Sequence, residues 1–328
     1  MSVASTDARA AHTDGVRRLL KSYRAIPTDA TVRLAKSTSN LFRARAKNTG
    51  PGLDTSGLTG VIEIDPHART ADVAGMCTYE DLVAATLPHG LSPLVVPQLK
   101  TITLGGAVTG LGIESASFRN GLPHESVLEM DILTGTGDIV RATPDEHADL
   151  FRSFPNSYGT LGYSVRLKIE LEPVKPFVAL RHLRFTCLTE LVDAMDRIIE
   201  TGGFSGDRVD YLDGVVFSAD ESYLCIGIQS ATPGPVSDYT GITSTTSRSD
   251  TMTVRSTTGS PFTTTCGAGI PTGSGAREPS AHRIRESGAG GRAGTAAAAS
   301  TGNSSATTSA STSPIASRTF SFGSAPWI

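Results

Sequence analysis

Pro97–Gly121, PQLKTITLGGAVTGLGIESASFRNG, is the stretch that decides how the chain is read. It sets Gly105, Gly106, Gly110, Gly112 and Gly121 among Thr101, Thr103, Thr109, Ser115 and Ser117. Glycine permits positive φ and lets another molecule approach the main chain without meeting a Cβ. Successive backbone N–H groups, helped by hydroxyls, make a concave donor surface suited to a pyrophosphate. Glycine density alone reads equally as a surface loop. The run is not a Rossmann fingerprint, because no G-x-G-x-x-G opens a helix directly after a strand.

More specific is the order of the segments C-terminal to this run, VLEMDILTGTGDIVRAT and then HADLFRSFPNSYGTLGYSVRLKIEL. The succession Pro97, Thr101, Thr103, Gly105–Gly106, Gly121, Gly135–Gly137, Asp149–Leu150–Phe151, Gly159 and Gly162 resembles the flavin-binding domain of the vanillyl-alcohol-oxidase type, the PCMH fold. Within that superfamily, GLGIESAS and LPHESV are most similar to the Diminuto-like sterol side-chain reductase branch and its bacterial relatives. The resemblance covers residues 31–176. It implies FAD held between α+β lobes, its pyrophosphate on backbone amides and its ring system facing a cap.

Composition sets the outer bounds. A chain of 328 residues holds two ordinary domains. A net charge of −3, with no dense basic cluster, gives no electrostatic pull toward nucleic acid. Cys77, Cys187, Cys225 and Cys266 are widely spaced, which argues against structural zinc and a disulfide scaffold and suits a reducing, cytoplasmic setting. His67, His89, His124 and His147 stand in unrelated contexts, so no metal site is expected. No apolar run reaches the ~18 residues of a spanning helix, and the N-terminus lacks a signal-peptide core.

Residues 1–13 read as polar and disordered. Gly15–Arg24 reads as a short basic helix, docked on the domain or lying on a membrane surface. Thr31–Ala35 reads as a strand, followed by the polar turn Lys36-Ser37-Thr38-Ser39-Asn40, which is either an ordinary helix cap or a second phosphate-facing turn. In many flavin enzymes of the superfamily the equivalent loop carries a histidine bonded to FAD. KSTSN has none, so the resemblance implies a non-covalent cofactor.

Gly60–Asp65 and Thr70–Ala74 form a strand pair, and Thr78–Thr86 a Thr78-capped helix stopped at His89-Gly90. Val127–Leu133 and Asp138–Ala142 form a hairpin, and Tyr163–Leu171 a long strand closed by Pro173 and Pro176. Val178–Thr186, a helix over Leu188–Glu200, then Arg208–Phe217 and Tyr223–Gln229 begin a second α+β unit. The expected organisation is therefore an N-terminal segment (1–25), a two-lobed PCMH-type FAD-binding domain (26–177), the start of a substrate-covering cap (178–242) and a tail (243–328). The fold class is α+β.

From about Thr243 the composition turns to Thr, Ser, Gly, Ala and Arg, and hydrophobic periodicity ends. Such text reads as a disordered tail. Joining each codon's third base to the next codon's first two permits another reading: FTTTCGAGIPTGSGAREPSAHRI then yields aromatic-rich, globular text such as HDYLWRWDTDWFWCSRAFGAQNP. A loss of reading frame near Gly241–Thr243 accounts for both features.

By resemblance, the candidate FAD contacts are Lys36, Ser37, Thr38, Ser39, Asn40, Thr103, Gly105, Gly106, Gly110, Ser115, Ser117, Gly159 and Gly162. The sterol branch implies reduction of an isolated carbon–carbon double bond with electrons from NAD(P)H. The alternatives are an alcohol or hydroxy-acid oxidase on the same fold and a truncated FAD-binding fragment without turnover. No proton donor can be named from the sequence.

Overall fold

The computed structural model describes residues 6–35 and 52–232, together with a two-residue strand at Thr264–Thr265. The turn Lys36–Asn40 lies outside the described residues, as does the tail from Thr243 apart from that strand.

The first element, α1 (Thr6–Arg24), starts earlier than the sequence suggested, so the expectation of disorder to residue 13 is corrected. Asp7 lies in its first turn and Lys21 and Arg24 in its last, which suits the helix dipole. Asp14 pairs with Arg17 (2.5 Å) and Arg18 one turn on. The helix docks on the domain through Leu19, which is fully buried, and through Gly15, which meets the Gly57 backbone too closely for any Cβ. The expected strand Thr31–Ala35 reduces to one parallel bridge, Leu34 to Leu53.

Next come β1 (Val61–Asp65) and β2 (Thr70–Ala74), an antiparallel pair, and α2 (Tyr79–Thr86). Thr78 caps α2 by accepting the Asp81 N–H, and Gly90 stops the following turn at φ +67°. The short β3 (Leu91–Pro93) leads into the glycine run. There the structure adds what the sequence pattern did not reveal: a helix, α3 (Leu104–Gly110), and a single turn, α4 (Ser117–Asn120). β4 (Val127–Leu133), β5 (Ile139–Ala142), α5 (Ala148–Ser153) and β6 (Tyr163–Pro173) complete the first unit.

Its sheet runs β1-β2-β6-β4-β5, with β3 also pairing to β6, and every pairing is antiparallel. Two apolar clusters hold it. One joins α2 and α3 to the sheet through Tyr79, Leu82, Leu104, Val108, Met130, Leu167 and Ile169. The other seats α1 through Leu19, Leu53, Leu58, Ile62, Leu133 and Val165. Charges alternate across the strands: Arg166 meets Asp72, Glu129 and Asp131 (2.8 Å to Asp131), and Arg141 also reaches Asp131.

The second unit contains β7 (Phe177–Phe185), α6 (Leu188–Thr201), a ribbon of β8 (Gly203–Phe204) and β9 (Asp207–Arg208), then β10 (Tyr211–Ser218) and β11 (Glu221–Ser230). With β12 (Thr264–Thr265) the sheet order is β10-β11-β7-β12. Arg208, expected to open the second strand of this unit, belongs to the ribbon instead. The apolar stripe of α6 (Leu191, Ala194, Ile198) covers one sheet face at Leu183, Leu212, Leu224 and Ile226.

If α1 is a docked element of the domain, Leu19→Ala removes a fully buried side chain and costs about 2–5 kcal/mol of stability. Urea unfolding of the full chain measures it. A change below ~0.5 kcal/mol would return the helix to a surface role.

Candidate flavin site and the seam beside it

Thr103 caps α3, its Oγ1 accepting the Gly106 N–H at 3.3 Å. The next residue but one, Gly105, is buried. Its N–H donates to Gly75 O at 2.9 Å, and a Cβ on it would overlap Ser164 Oγ and lie 2.6 Å from Gly75 O. The absence of a side chain at Gly105 is thus used to press α3 onto the sheet. Gly106 is exposed, and the only atom near a Cβ there is its own cap, Thr103 Oγ1. Beyond Gly110 there is open space.

The loop Phe154–Gly162 lies along the end of α3. Asn156 N–H reaches Val108 O at 3.4 Å and Tyr158 N–H reaches Thr109 O at 3.0 Å. Four of its residues take positive φ: Asn156, Tyr158, Gly159 and Gly162. At Gly162, φ is +132° and a Cβ would overlap Leu133 O. Gly159 packs on the Tyr163 ring. Thr103, Gly106 and Gly110 thus lie along α3, and the loop carrying Ser157 and Gly159 is bonded to its C-terminal end.

Two observations suit this side to a dinucleotide. Ser157 Oγ is buried with no hydrogen-bond partner among the described residues, and Ile113, Tyr158 and Leu161 are apolar yet exposed (56%, 65% and 38%). An orphaned hydroxyl calls for a polar partner, and exposed apolar side chains around a glycine-lined helix end offer surface to planar rings.

Ser115 and Ser117 are placed differently. Ser117 Oγ accepts the Glu114 N–H at 3.0 Å, and Ser115 O accepts the Leu212 N–H of β10 at 2.9 Å. Both belong to the seam between the two units. Here Arg119 grips Glu172 with two bonds (2.7 and 2.8 Å), donates through Nε to Asp210 O (2.9 Å), and lies 5.9 Å over the Tyr211 ring. Phe118 and Arg119 also line a cavity of about 730 Å³ with residues 201–209.

Sequence reasoning missed Glu114. It is only 9% exposed, accepts the Gln98 N–H at 3.2 Å, and has no salt bridge among the described residues. Burial, reinforced by Asp213, pushes its carboxyl up to about 8. A cross-strand row also went unseen: Asp213 pairs in register with Cys225, and Cys225 with His182. His182 is 1% exposed with neither ring nitrogen partnered among the described residues, and burial lowers its pKa to about 4. Strand alternation was visible in the sequence, but the pairing register that builds the row was not.

Residues 6–143 match the family model of the FAD binding domain. The chain is similar to the Delta(24)-sterol reductase of Rattus norvegicus (30% identical over 173 residues, 52% of this chain and 32% of the relative). It is also similar to that of Arabidopsis thaliana (32% over 178 residues, 53% and 32%). A cytokinin dehydrogenase 7 of Oryza sativa subsp. japonica matches at 32% over 180 residues, 53% of this chain and 34% of the relative. The chain thus spans about a third of the length of the curated relatives it matches. No helix among the described residues is long and apolar enough to cross a membrane.

Gly105→Ala forces α3 off the sheet and costs about 1–3 kcal/mol, outweighing the ~1 kcal/mol that alanine gains over glycine in a helix. Thermal unfolding without cofactor checks this. Gly106→Ala, facing outward with only its own cap oxygen near the new Cβ, lowers that transition less than Gly105→Ala does.

Proposed function

We propose that the chain is the flavin-binding part of an oxidoreductase that reduces a carbon–carbon double bond in an apolar, sterol-like substrate. The similarity of about half the chain to Delta(24)-sterol reductases carries this reading. The glycine-lined end of α3, with its orphaned Ser157 hydroxyl and exposed apolar rim, supports it from the geometry.

In this reading FAD, when bound, supplies two-electron hydride chemistry. The chain's residues bind and orient it. Thr103, Gly106, Gly110, Gly159 and Ser157 offer the α3 side of the site, Gly162 holds their loop against Leu133 O, and Lys36, Ser37, Thr38, Ser39 and Asn40 form a second turn. Gly105 serves by setting the height of α3 above the sheet. Ser115 and Ser117 act one step away, by fixing the segment that meets β10. The second sheet serves as the cap that excludes water from the reacting carbons. A nicotinamide donor supplies the electrons, and the enzyme works in the cytoplasm.

The cytokinin dehydrogenase match supports a second reading, a flavin-dependent oxidation of a C–H bond beside a heteroatom. Anaerobic incubation of FAD-loaded protein with NADPH and a side-chain-unsaturated sterol separates the two. A product gaining two hydrogens by mass supports the first reading. Flavin bleached by an amine or hydroxy acid, with no sterol product, overturns it.

A frame lost near Gly241–Thr243 would leave the cap incomplete. Sequencing the gene across those codons tests this directly. With the frame restored, turnover with the sterol rises at least tenfold over the chain as it stands, and equal turnover of the two would show the tail to be native.

Because KSTSN has no histidine, acid precipitation releases the yellow colour into the supernatant. Colour retained in the pellet would show a covalent bond through another residue.

A further inference from the structure

We propose that Glu114 registers the second sheet on the flavin domain, its carboxyl bonded to Gln98 and so fixing the segment whose next residue, Ser115, holds β10. This makes it a positioning residue for the flavin site, and the inference rests on the flavin-domain assignment alone.

Glu114 is tied at three points to segments that must meet for the site to exist. Its Oε2 accepts from Gln98 at the start of the glycine run (3.2 Å). Its own N–H donates to Ser117 Oγ (3.0 Å). Its neighbour Ser115 accepts from Leu212 (2.9 Å), which sets Glu114 beside Asp213, the residue after Leu212. The carboxyl therefore ties Gln98, at the start of the run, to the segment whose next residue, Ser115, bonds to β10.

The surroundings make a charged carboxylate costly. From α2 the fully buried Tyr79 lies near it, itself raised chiefly by burial and next by Glu114. From β10 the Asp213 charge acts on it, with Cys225 and His182 continuing that row on β11 and β7. Lys100, in the segment that carries Gln98, is turned to Glu80 at 2.6 Å. Arg119, on the turn after Glu114, is committed to Glu172 and Asp210 O. Beside Asp213 a neutral Glu114 carboxyl is tolerated, whereas two anions repel. Loss of that proton would push β10 away from the run that carries Gly110 and Ile113.

The direction of the shift sets the pH window. Glu114 binds its proton more tightly in the folded chain, near 8 against an ordinary value near 4.5. Its contribution is complete below about 4.5 and is lost as pH rises through about 8.

The test compares urea unfolding of the full chain without cofactor, wild type against Glu114→Gln, from pH 5 to 9. The wild-type unfolding constant, divided by that of the variant, rises about tenfold per pH unit and levels off near pH 8. Other titrating groups cancel in this ratio, and glutamine keeps the neutral shape. A flat ratio overturns the proposal. Should Glu114→Gln fail to fold, Asp213→Asn decides: removing the facing charge moves the upper break to lower pH, and an unmoved break overturns the proposal. Flavin fluorescence gives a second readout, with wild-type affinity falling above pH 8 and Glu114→Gln affinity holding. A chain that takes up no flavin at any pH would sink the functional reading, and the unfolding ratio would still judge Glu114.

Discussion

The structure depends on how closely α3 approaches the sheet. Gly75, Gly105 and Ser164 meet there with almost no side chain between them, and Gly105 N–H closes on Gly75 O at 2.9 Å. That contact fixes the height of the helix. The helix in turn fixes Thr103 at one end and the loop Asn156–Gly162 at the other, because Val108 and Thr109 carbonyls receive that loop. A methyl group at Gly105 would tilt all of these together, since packed interiors transmit displacement rather than absorb it.

The seam shows a second kind of constraint, set by charge. Arg119 is fixed by the Glu172 fork and by Asp210 O, and Arg is suited to that role because its planar donors match a carboxylate in one orientation. Asp210 is held in turn by the Gln229 N–H at 2.8 Å. The second sheet is thus placed by a few directional bonds from α4 and the end of β6. The apolar contact through Phe118 adds area but little angular definition.

Much of the fold was legible in the sequence because its signals are local. Thr78 as a cap, Gly90 as a stop, the Gly135–Gly137 turn and the long alternation of β6 each declare themselves within a few residues. α3 was not legible: LGGAVTG has two adjacent glycines, which propensity counts against a helix. Packing overrode propensity, since only glycine permits the approach to Gly75. The strand at Thr31–Ala35 failed for the opposite reason, a suitable pattern that pairs among the described residues only through the bridge of Leu34 to Leu53. The candidate site divides likewise. The glycines announced themselves, but Glu114 and the Asp213–Cys225–His182 row exist only through long-range register, which no local pattern encodes.

The order of the first sheet bears on how the chain is made. Its central strand, β6, pairs with β2, β3 and β4, yet is the last of them to be synthesised. Roughly 90 residues separate the end of β2 from the start of β6, about 4–18 s of ribosomal elongation. Over that interval β2, joined by β4 once Leu133 is made, carries an open edge where β6 will lie, and the apolar side chains that pack around Leu167 and Ile169 have no centre to close upon. The nascent domain is therefore most exposed to chaperones and misassociation just before Pro173 leaves the ribosome, and any pause in translation within that stretch lengthens the exposure.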